Sequence, residues 1–295
     1  MKMKKRLKVY IKFIFGHFFK YKIQVMNNDN TVEYIIKHPG ISVVRFGDGE
    51  LDIINGKDIY YQSYNMSLAK QLKNIVLKGS DSNLLVCMPD VFTKLNRYNF
   101  NCRKFYYEDF FYQNRNILKN IEKQNNIYGS TFISRPYIDL KDRSKVNNYF
   151  KMLKNLWNEK DILIVEGKYS RSGEGNDLFS NAKSIKRIIC PSKNAFFYKE
   201  DIEKSIKKYS SDRLILLMLG PTAKIIINDL CSLLDNQMID LGHIDSEYEW
   251  FLMGVNSRVK IPNKHTAEID RNNTNIDLEK DKKFKSQIID QVDNK

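Results

Sequence analysis

Two carboxylates separated by one residue follow the first strongly apolar run of the chain. The run ends at Arg45 and Phe46 and continues Gly47-Asp48-Gly49-Glu50. Glycines on both sides of Asp48 allow the backbone to turn tightly and approach a ligand closely. Divalent cations bound together with substrate phosphates use one or two protein carboxylates. Asp48 and Glu50 are therefore candidate metal ligands, and the alternative is an Asp-Gly turn with solvated acids. Arg45 could form a forked contact with a phosphate or orient a carboxylate.

A second candidate segment, Glu166-Gly-Lys-Tyr-Ser-Arg-Ser-Gly-Glu-Gly-Asn-Asp177, follows another apolar run directly. Its glycines, including Gly175, predict a loop that can wrap around a ligand, and Arg171 supplies an anion-binding group. Asn176 is placed to cap the next helix. The spacing matches neither a dinucleotide-binding fingerprint nor a Walker loop, so an elaborate turn is the alternative.

The third segment, Leu219-Gly-Pro221-Thr222-Ala223, joins a predicted strand to a predicted helix. Proline is favourable near a helix start, and the exposed N–H groups there attract an anion. Pro221 and Thr222 are therefore candidate contacts of a bound phosphate. Simple helix initiation explains the same residues equally well.

The fourth segment, Asp240-Leu-Gly-His243-Ile-Asp245-Ser-Glu247-Tyr-Glu249-Trp250, concentrates one histidine and four acids in a few residues. A helix starting at Ser246 would use Glu249 in a capping box, but that explanation leaves His243 and Asp245 in the preceding loop unexplained. Such a cluster suits a general base, a metal ligand or both. Neither metalloprotease spacing nor a nucleophilic serine elbow is found in this sequence.

Apolar runs rich in Val, Ile and Leu indicate the elements that must position these loops. Because the runs are nearly continuous rather than alternating, they predict strands buried on both faces. The predicted strands are 41–46, 84–88, 161–166, 185–190 and 213–219, and helical patterns cover 67–78, part of 106–123, 145–159, 199–209 and 222–234. Alternation of strands and helices predicts an α/β fold with a mostly parallel sheet flanked by helices, in which ligands bind at the carboxyl ends of the strands.

The positive charge of the chain is concentrated at its beginning. The formal net charge is +14, and residues 1–22 carry eight basic residues and no acidic one, interleaved with aromatic and aliphatic residues. The apolar run there is too short to span a bilayer, so the pattern predicts either a helix lying on an anionic membrane surface or a helix packed on the domain. We divide the chain into a basic segment (1–30), one catalytic domain (31–262) and a polar tail (263–295). The four cysteines contain no CxxC pair and suit buried free thiols in a reducing compartment. We therefore expect the protein to be cytoplasmic, at most peripheral on the inner face of the membrane.

Eight segments in collinear order resemble the bacterial GT-D-type glycosyltransferases, formerly a domain of unknown function. They are SVVRFGDGE (42–50), YQSYN (61–65), LLVCMPDVF (84–92), FISRPY (132–137), EGKYSRSGEGNDLF (166–179), CPSKNAF (190–196), LGPTAKIIINDL (219–230) and DLGHIDSEYEWF (240–251). The resemblance implies a Rossmann-like fold and transfer of a sugar, typically glucose from UDP-glucose, to a glycan acceptor in surface-polysaccharide or glycoprotein synthesis. It also implies a divalent metal such as Mn²⁺, with Mg²⁺ the other candidate, at Asp48 and Glu50.

Physical chemistry assigns the remaining roles within that resemblance. Negative charge grows on a leaving diphosphate, and positive groups such as Arg45 and Arg171 would stabilise it. For an inverting reaction the base is expected at Glu249 or Asp245, with His243 beside the metal or phosphate, whereas a retaining reaction needs no such residue. Candidate sugar or uracil contacts are Tyr61, Gln62, Tyr64, Arg135 and Tyr137.

Two other functions remain open at this stage. A metal-dependent nucleotide phosphohydrolase would use the same carboxylates, and a basic module that binds a membrane or nucleic acid would use residues 1–22. Nucleic acid is the less favoured partner, because lysine is much more frequent than arginine and base recognition favours arginine.

Overall fold

One nine-stranded sheet with every strand parallel forms the centre of the molecule. The computed structural model describes residues 12, 14, 16, 21–93, 95–265, 269 and 282–292. The strands are β1 (Gln24–Val25), β2 (Ser42–Arg45), β3 (Leu84–Met88), β4 (Ile127–Ser130), β5 (Asp161–Gly167), β6 (Ser184–Cys190), β7 (Leu214–Met218), β8 (Met238–Asp240) and β9 (Ile288–Gln291). Their order across the sheet is β1-β4-β3-β2-β8-β7-β5-β6-β9. The predicted α/β fold with a mostly parallel sheet is confirmed.

Helices cover the sheet. In the described residues they are α1 (Asn28–Lys37), α2 (Asp48–Ile54), α3 (Met66–Lys78), α4 (Phe100–Phe105), α5 (Phe111–Gln113), α6 (Arg115–Gln124), α7 (Val146–Lys154), α8 (Lys199–Tyr209), α9 (Pro221–Leu230), α10 (Ile244–Met253) and α11 (Lys282–Gln287). A π-helical turn, Tyr106–Phe110, joins α4 to α5. Short 3₁₀ turns at Leu95–Arg97, Thr131–Ser134 and Ala195–Tyr198 complete the connections.

The central strands are mostly apolar because each face of the sheet packs against its own core. In β2, Val44 belongs to one buried cluster and Val43 to the other, since neighbouring side chains of a strand point to opposite faces. In β5, Leu163 and Ile164 divide in the same way. This double burial produces the continuous apolar runs from which the strands were predicted.

The sheet extends beyond residues 31–262 at both ends. Strand β1 pairs with β4, and β9 pairs with β6 through Arg187 and Ile288. Within the segment interpreted as a polar tail, residues Lys282–Gln287 are helical and the chain then enters the sheet at Ile288. Both edge strands therefore come from segments that the sequence assigned to the flanking regions.

Most of the basic N-terminal segment lies outside the described residues. Of its charges, the Lys12 ammonium pairs with the carboxylate of Asp109 in the π-helical turn at 2.5 Å. Across the described part of the chain, none of the helices combines the length and the apolar character needed to cross a bilayer. The proposed membrane-surface helix over residues 1–22 therefore stays a prediction.

Candidate active site

A cavity of about 350 Å³ opens at the carboxyl edge of the sheet, where parallel α/β proteins bind their ligands. Its walls come from residues that follow β2, β4, β5, β6, β7 and β8, from residues 59–62 after α2, and from residues 264–265. At Gly220, between β7 and α9, φ is +53° and a Cβ atom would collide with the Tyr61 ring. A glycine is therefore required where this wall comes closest to Tyr61.

Three buried charged side chains, Arg45, Glu50 and Lys224, line the cavity, and a fourth, Asp240, lies against two of them. The Arg45 guanidinium donates to Asp240 at Nη2–Oδ1 3.0 Å and Nε–O 2.7 Å. The Lys224 ammonium lies 2.9 Å from Asp240 Oδ2 and 2.8 Å from Glu50 Oε1. All four side chains are at least nine-tenths buried. Burial raises the pKa of Asp240, but Arg45 and Lys224 outweigh it, so the net pKa is lowered and the carboxylate stays ionised.

Of the two carboxylates predicted to bind metal, one is buried and one is exposed. Glu50 caps the N-terminus of α2, since its Oε2 accepts a hydrogen bond from the Gly47 N–H at 2.9 Å. Asp48 is the first residue of α2 and is exposed at the cavity wall. In the part of the chain that the structure describes, no group of three or more His, Cys, Asp or Glu side chains could hold a metal ion. Any divalent cation at Asp48 and Glu50 would thus depend on ligand oxygens as well, which is how Mg²⁺ is commonly bound.

A lysine that the sequence analysis missed holds the two acids first proposed as bases. Lys264 Nζ donates to Asp245 Oδ2 at 2.8 Å and to Glu249 Oε1 at 2.7 Å. Asn176 Nδ2 donates to the same two carboxylates, and the Gly173 N–H donates to Asp245 Oδ1 at 2.7 Å. The cluster therefore ties α10 to the loop of residues 167–177, which we call the ligand loop.

The ligand loop is anchored a second time, beneath Ser172. Arg187 pairs with Glu166 and donates to the Ser172 carbonyl at 2.9 Å, while the Ser172 N–H donates to Glu166 Oε2 at 2.8 Å. The Phe284 ring of α11 lies against two guanidinium groups, those of Arg187 and Arg171, at 4.6 and 4.9 Å. Helix α11 therefore braces a loop that lines the cavity.

Phe284→Ala is expected to lower the free energy of unfolding by about 3 kcal/mol, the usual cost of removing a buried phenylalanine ring. The ring is only 4% exposed, so its loss leaves a cavity between α11 and the ligand loop. Urea unfolding measures the effect. Lys285→Ala, an exposed neighbour on the same helix, should leave stability close to wild type. Equal stability of the two variants would contradict a bracing role for the ring.

Glu247 is fully buried and joins α10 to the segment after β4. Its Oε2 accepts from the backbone N–H groups of Tyr137 and Ile138, both at 3.0 Å. Its Oε1 has no hydrogen-bond partner among the described residues. Burial raises the pKa of Glu247 to about 7, although Arg135 acts in the opposite direction. This carboxyl therefore titrates near neutral pH.

Glu247→Gln is expected to gain stability relative to wild type as the pH rises. The ordinary pKa of 4.5 is raised to about 7, so the folded protein holds a proton that the unfolded chain releases. The associated stability is fully present below about pH 4.5 and is lost as the pH rises through about 7. The free energy of unfolding of Glu247→Gln, relative to wild type, should therefore rise by up to about 3 kcal/mol between about pH 5 and pH 8. Urea midpoints at the two pH values test this, and a constant difference would contradict it.

The structure brings about half of the sequence-predicted site residues to the cavity. Those that line it are Arg45, Gly47, Asp48, Glu50, Tyr61, Gln62, Arg135, His243 and Asp245. The others support the walls or lie beside them. Tyr64 is exposed, Tyr137 is buried and hydrogen-bonded to Glu247, and Thr222 is buried within α9. Five more residues are outside the cavity lining: Arg171, Gly175, Asn176, Pro221 and Glu249.

Lys224 and Lys264 are the functional candidates that sequence reasoning missed. Both line the cavity, and each neutralises two carboxylates. A lysine within an apolar helix such as α9 was the available signal for Lys224, because a buried ammonium needs a carboxylate partner. Lys264 lies in the segment interpreted as a polar tail and had no such signal.

The sequence of the chain matches a known protein family. The family model described as glycosyltransferase GT-D fold matches residues 43–269. A protein named probable glycosyl transferase Gly, from Streptococcus gordonii, is 46% identical over 268 residues, which are 91% of this chain and 39% of that protein. Glycosyltransferase GlyD, from Streptococcus pneumoniae serotype 4, is 45% identical over 278 residues, which are 92% of this chain and 33% of that protein. The chain therefore spans well under half the length of these two relatives.

Solved structures agree with the sequence matches. One, described as a new glycosyltransferase (domain of unknown function 1792) from Streptococcus sanguinis, has 46% identity and a TM-score of 0.87, and covers 92% of this chain and 100% of that one. Another, described as the highly conserved domain of unknown function 1792 with a distinct glycosyltransferase fold, has 48% identity and a TM-score of 0.83. This match covers 97% of this chain and 100% of that one.

The family model, the relatives and the solved structures are all described as glycosyltransferases or as having a glycosyltransferase fold. The chain belongs to the GT-D-fold glycosyltransferase family, as the eight sequence segments predicted.

Proposed function

We propose that this chain transfers a sugar, glucose in the first instance, from UDP-glucose to a hydroxyl group of a glycan acceptor in bacterial surface-polysaccharide or glycoprotein synthesis. A divalent cation, Mn²⁺ or Mg²⁺, would be held by Asp48 and Glu50. The observation that carries the proposal is the convergence of these carboxylates and the Lys224 ammonium on one cavity at the carboxyl edge of a parallel sheet.

The donor set fits a cation shared with a diphosphate. Asp48 and Glu50 stand on the first turn of α2 and both line the cavity, and two carboxylates completed by phosphate oxygens suit Mg²⁺ or Mn²⁺. When bound, the cation supplies a Lewis acid for the charge that develops on the leaving diphosphate.

The protein's own groups would bind and orient the donor. The ligand loop brings Ser170 and Ser172 to the cavity, and its anchoring by Arg187 keeps these donors in place without the cost of ordering them on binding. Arg45 supports the site through Asp240, since its donors already serve the protein. Gln62 and Arg135 line the cavity and are proposed contacts of the sugar or the uracil.

For an inverting reaction we assign the base to His243 rather than to Glu249 or Asp245. Both oxygens of Asp245 accept hydrogen bonds from the ligand loop and Lys264, and Glu249 lies behind it against the same lysine. His243 lines the cavity directly before α10, and an imidazole is the commonest group that takes a proton from an attacking hydroxyl. A retaining reaction would need no such general base.

Mass spectrometry of a panel of nucleotide sugars tests the proposal. The full chain is incubated with each donor, Mn²⁺ and an acceptor glycan, and we expect UDP release together with an acceptor heavier by one hexose. His243→Gln should retain UDP binding but lose transfer if the reaction inverts. Failure of every donor to release UDP would exclude the proposed reaction. Nucleotide hydrolysis faster than transfer, independent of acceptor, would instead favour a phosphohydrolase.

We further propose that the enzyme works in the cytoplasm, with residues 1–22 holding it against the inner face of the membrane. Their basic and aromatic composition supports this placement. Flotation with liposomes that contain anionic lipid compares the full chain with a chain lacking residues 1–22. Equal flotation of both would remove this segment from the proposal.

A further inference from the structure

Among the positively charged side chains of the site, Lys224 is the one that lies between Glu50, a proposed metal ligand, and the buried Asp240. It lies on α9 and is 3% exposed, and its ammonium uses all three donors: Glu50 Oε1 at 2.8 Å, Asp240 Oδ2 at 2.9 Å and the Gly220 carbonyl at 3.0 Å. Asp240 is also paired with Arg45, whereas the salt bridge of Glu50 in the described part of the chain is with Lys224. Lys224 is therefore the counter-ion of Glu50.

This ion pair opposes the binding of a divalent cation at Asp48 and Glu50 for as long as the ammonium stays beside Glu50. An ammonium 2.8 Å from a ligand oxygen repels a divalent ion at that oxygen, and the repulsion is strong where water is excluded. The lysine stem is flexible and its ammonium is a compact point charge, so it can turn away from Glu50 while Asp240 and the Gly220 carbonyl retain it. Because Lys224 lines the cavity, the direction left open to the released donor is toward a bound ligand.

We propose that Lys224 exchanges partners during binding: it neutralises Glu50 in the empty enzyme, is displaced by the divalent cation, and then donates to the diphosphate of the sugar donor. The inference rests on the proposed function and adds a coupling to it. Binding of the cation frees the Lys224 ammonium to donate to the diphosphate. Binding of the diphosphate in turn gives the ammonium a new partner, so the ammonium no longer opposes the cation at Glu50. Each ligand should therefore strengthen the binding of the other, by the same factor in both directions.

Binding of Mn²⁺, followed by electron paramagnetic resonance with and without UDP, separates this role from a structural one. Wild type should bind Mn²⁺ weakly alone and more tightly with UDP. Lys224→Met should bind Mn²⁺ alone about tenfold more tightly, because a competing charge is gone. The same variant should bind UDP more weakly and lose the coupling. A variant that is merely misfolded would lose affinity for both ligands.

Three further variants complete the experiment. Lys199→Met is the matched control, since Lys199 also joins two carboxylates, Asp229 at 2.7 Å and Glu203 at 3.2 Å, but does not line the cavity. It should behave as wild type. Lys224→Arg keeps the charge and should keep weak Mn²⁺ binding, and Lys224→Gln replaces the methionine variant if that one fails to fold.

The outcomes are distinct. Unchanged or weaker Mn²⁺ binding by folded Lys224→Met or Lys224→Gln overturns the exchange while leaving the proposed cation site intact. Absence of Mn²⁺ binding by wild type, with and without UDP, overturns the cation site and the exchange together.

Discussion

Asp48→Ala is expected to reduce sugar transfer by about 10²–10³-fold while leaving the free energy of unfolding nearly unchanged. Metal stabilisation of a developing charge contributes several kcal/mol to catalysis, and each 1.36 kcal/mol corresponds to a factor of ten in rate. Asp48 is exposed at the start of α2 and packs little surface into either core, so the fold does not depend on it. Steady-state UDP release at saturating Mn²⁺ and donor measures the loss of rate.

Asp201→Ala supplies the control for that experiment. Asp201 is also an exposed aspartate in the first turn of a helix, α8, so its removal changes the helix-terminal charge in the same way. Transfer by this variant should match wild type. If Asp48→Ala retained more than about a tenth of the wild-type rate, the carboxylate would contribute too little for a metal ligand.

Asp240→Ala should have the largest effect on stability, a loss of about 3–5 kcal/mol in the free energy of unfolding. Asp240 is fully buried, and its removal would leave the guanidinium of Arg45 and the ammonium of Lys224 side by side without their shared carboxylate. Urea unfolding followed by circular dichroism measures the loss. Glu33→Ala, which breaks an exposed pair with Lys37, should remain close to wild type.

The pH dependence of the same carboxylate gives an independent check. The net pKa of Asp240 is lowered, because Arg45 and Lys224 outweigh the opposing effect of burial. Its contribution is therefore present above the unfolded pKa of about 3.8 and is lost as the pH falls through the folded pKa. The stability advantage of wild type over Asp240→Asn should be constant near neutral pH and shrink in acid. An advantage that grew in acid would contradict an ionised Asp240.

Strand prediction succeeded where a strand is a continuous apolar run of five residues, as in β3 and β7, and failed for the shorter strands β4 and β8. Strands such as β3 and β7 are entirely apolar and were found from composition. Strand β8 has only three residues, and β4 contains Gly129, whose Cβ would collide with Cys87 of the neighbouring strand. Such short segments are strands because a neighbour supplies hydrogen bonds, and a sequence does not contain that information.

The sequence by itself predicted a parallel α/β fold with polar loops after the strands, and the resemblance of eight of its segments indicated the GT-D glycosyltransferase family. Long apolar runs, glycines at the turns and dense polar loops are local properties, so they can be read along the chain. Only the tertiary structure decided which charges are paired. Arg45 and Asp240 are 195 residues apart, and Lys224 and Lys264 reach carboxylates on other elements. The state of each carboxylate depends on which cation the fold brings beside it, and that proximity exists only after the sheet has assembled.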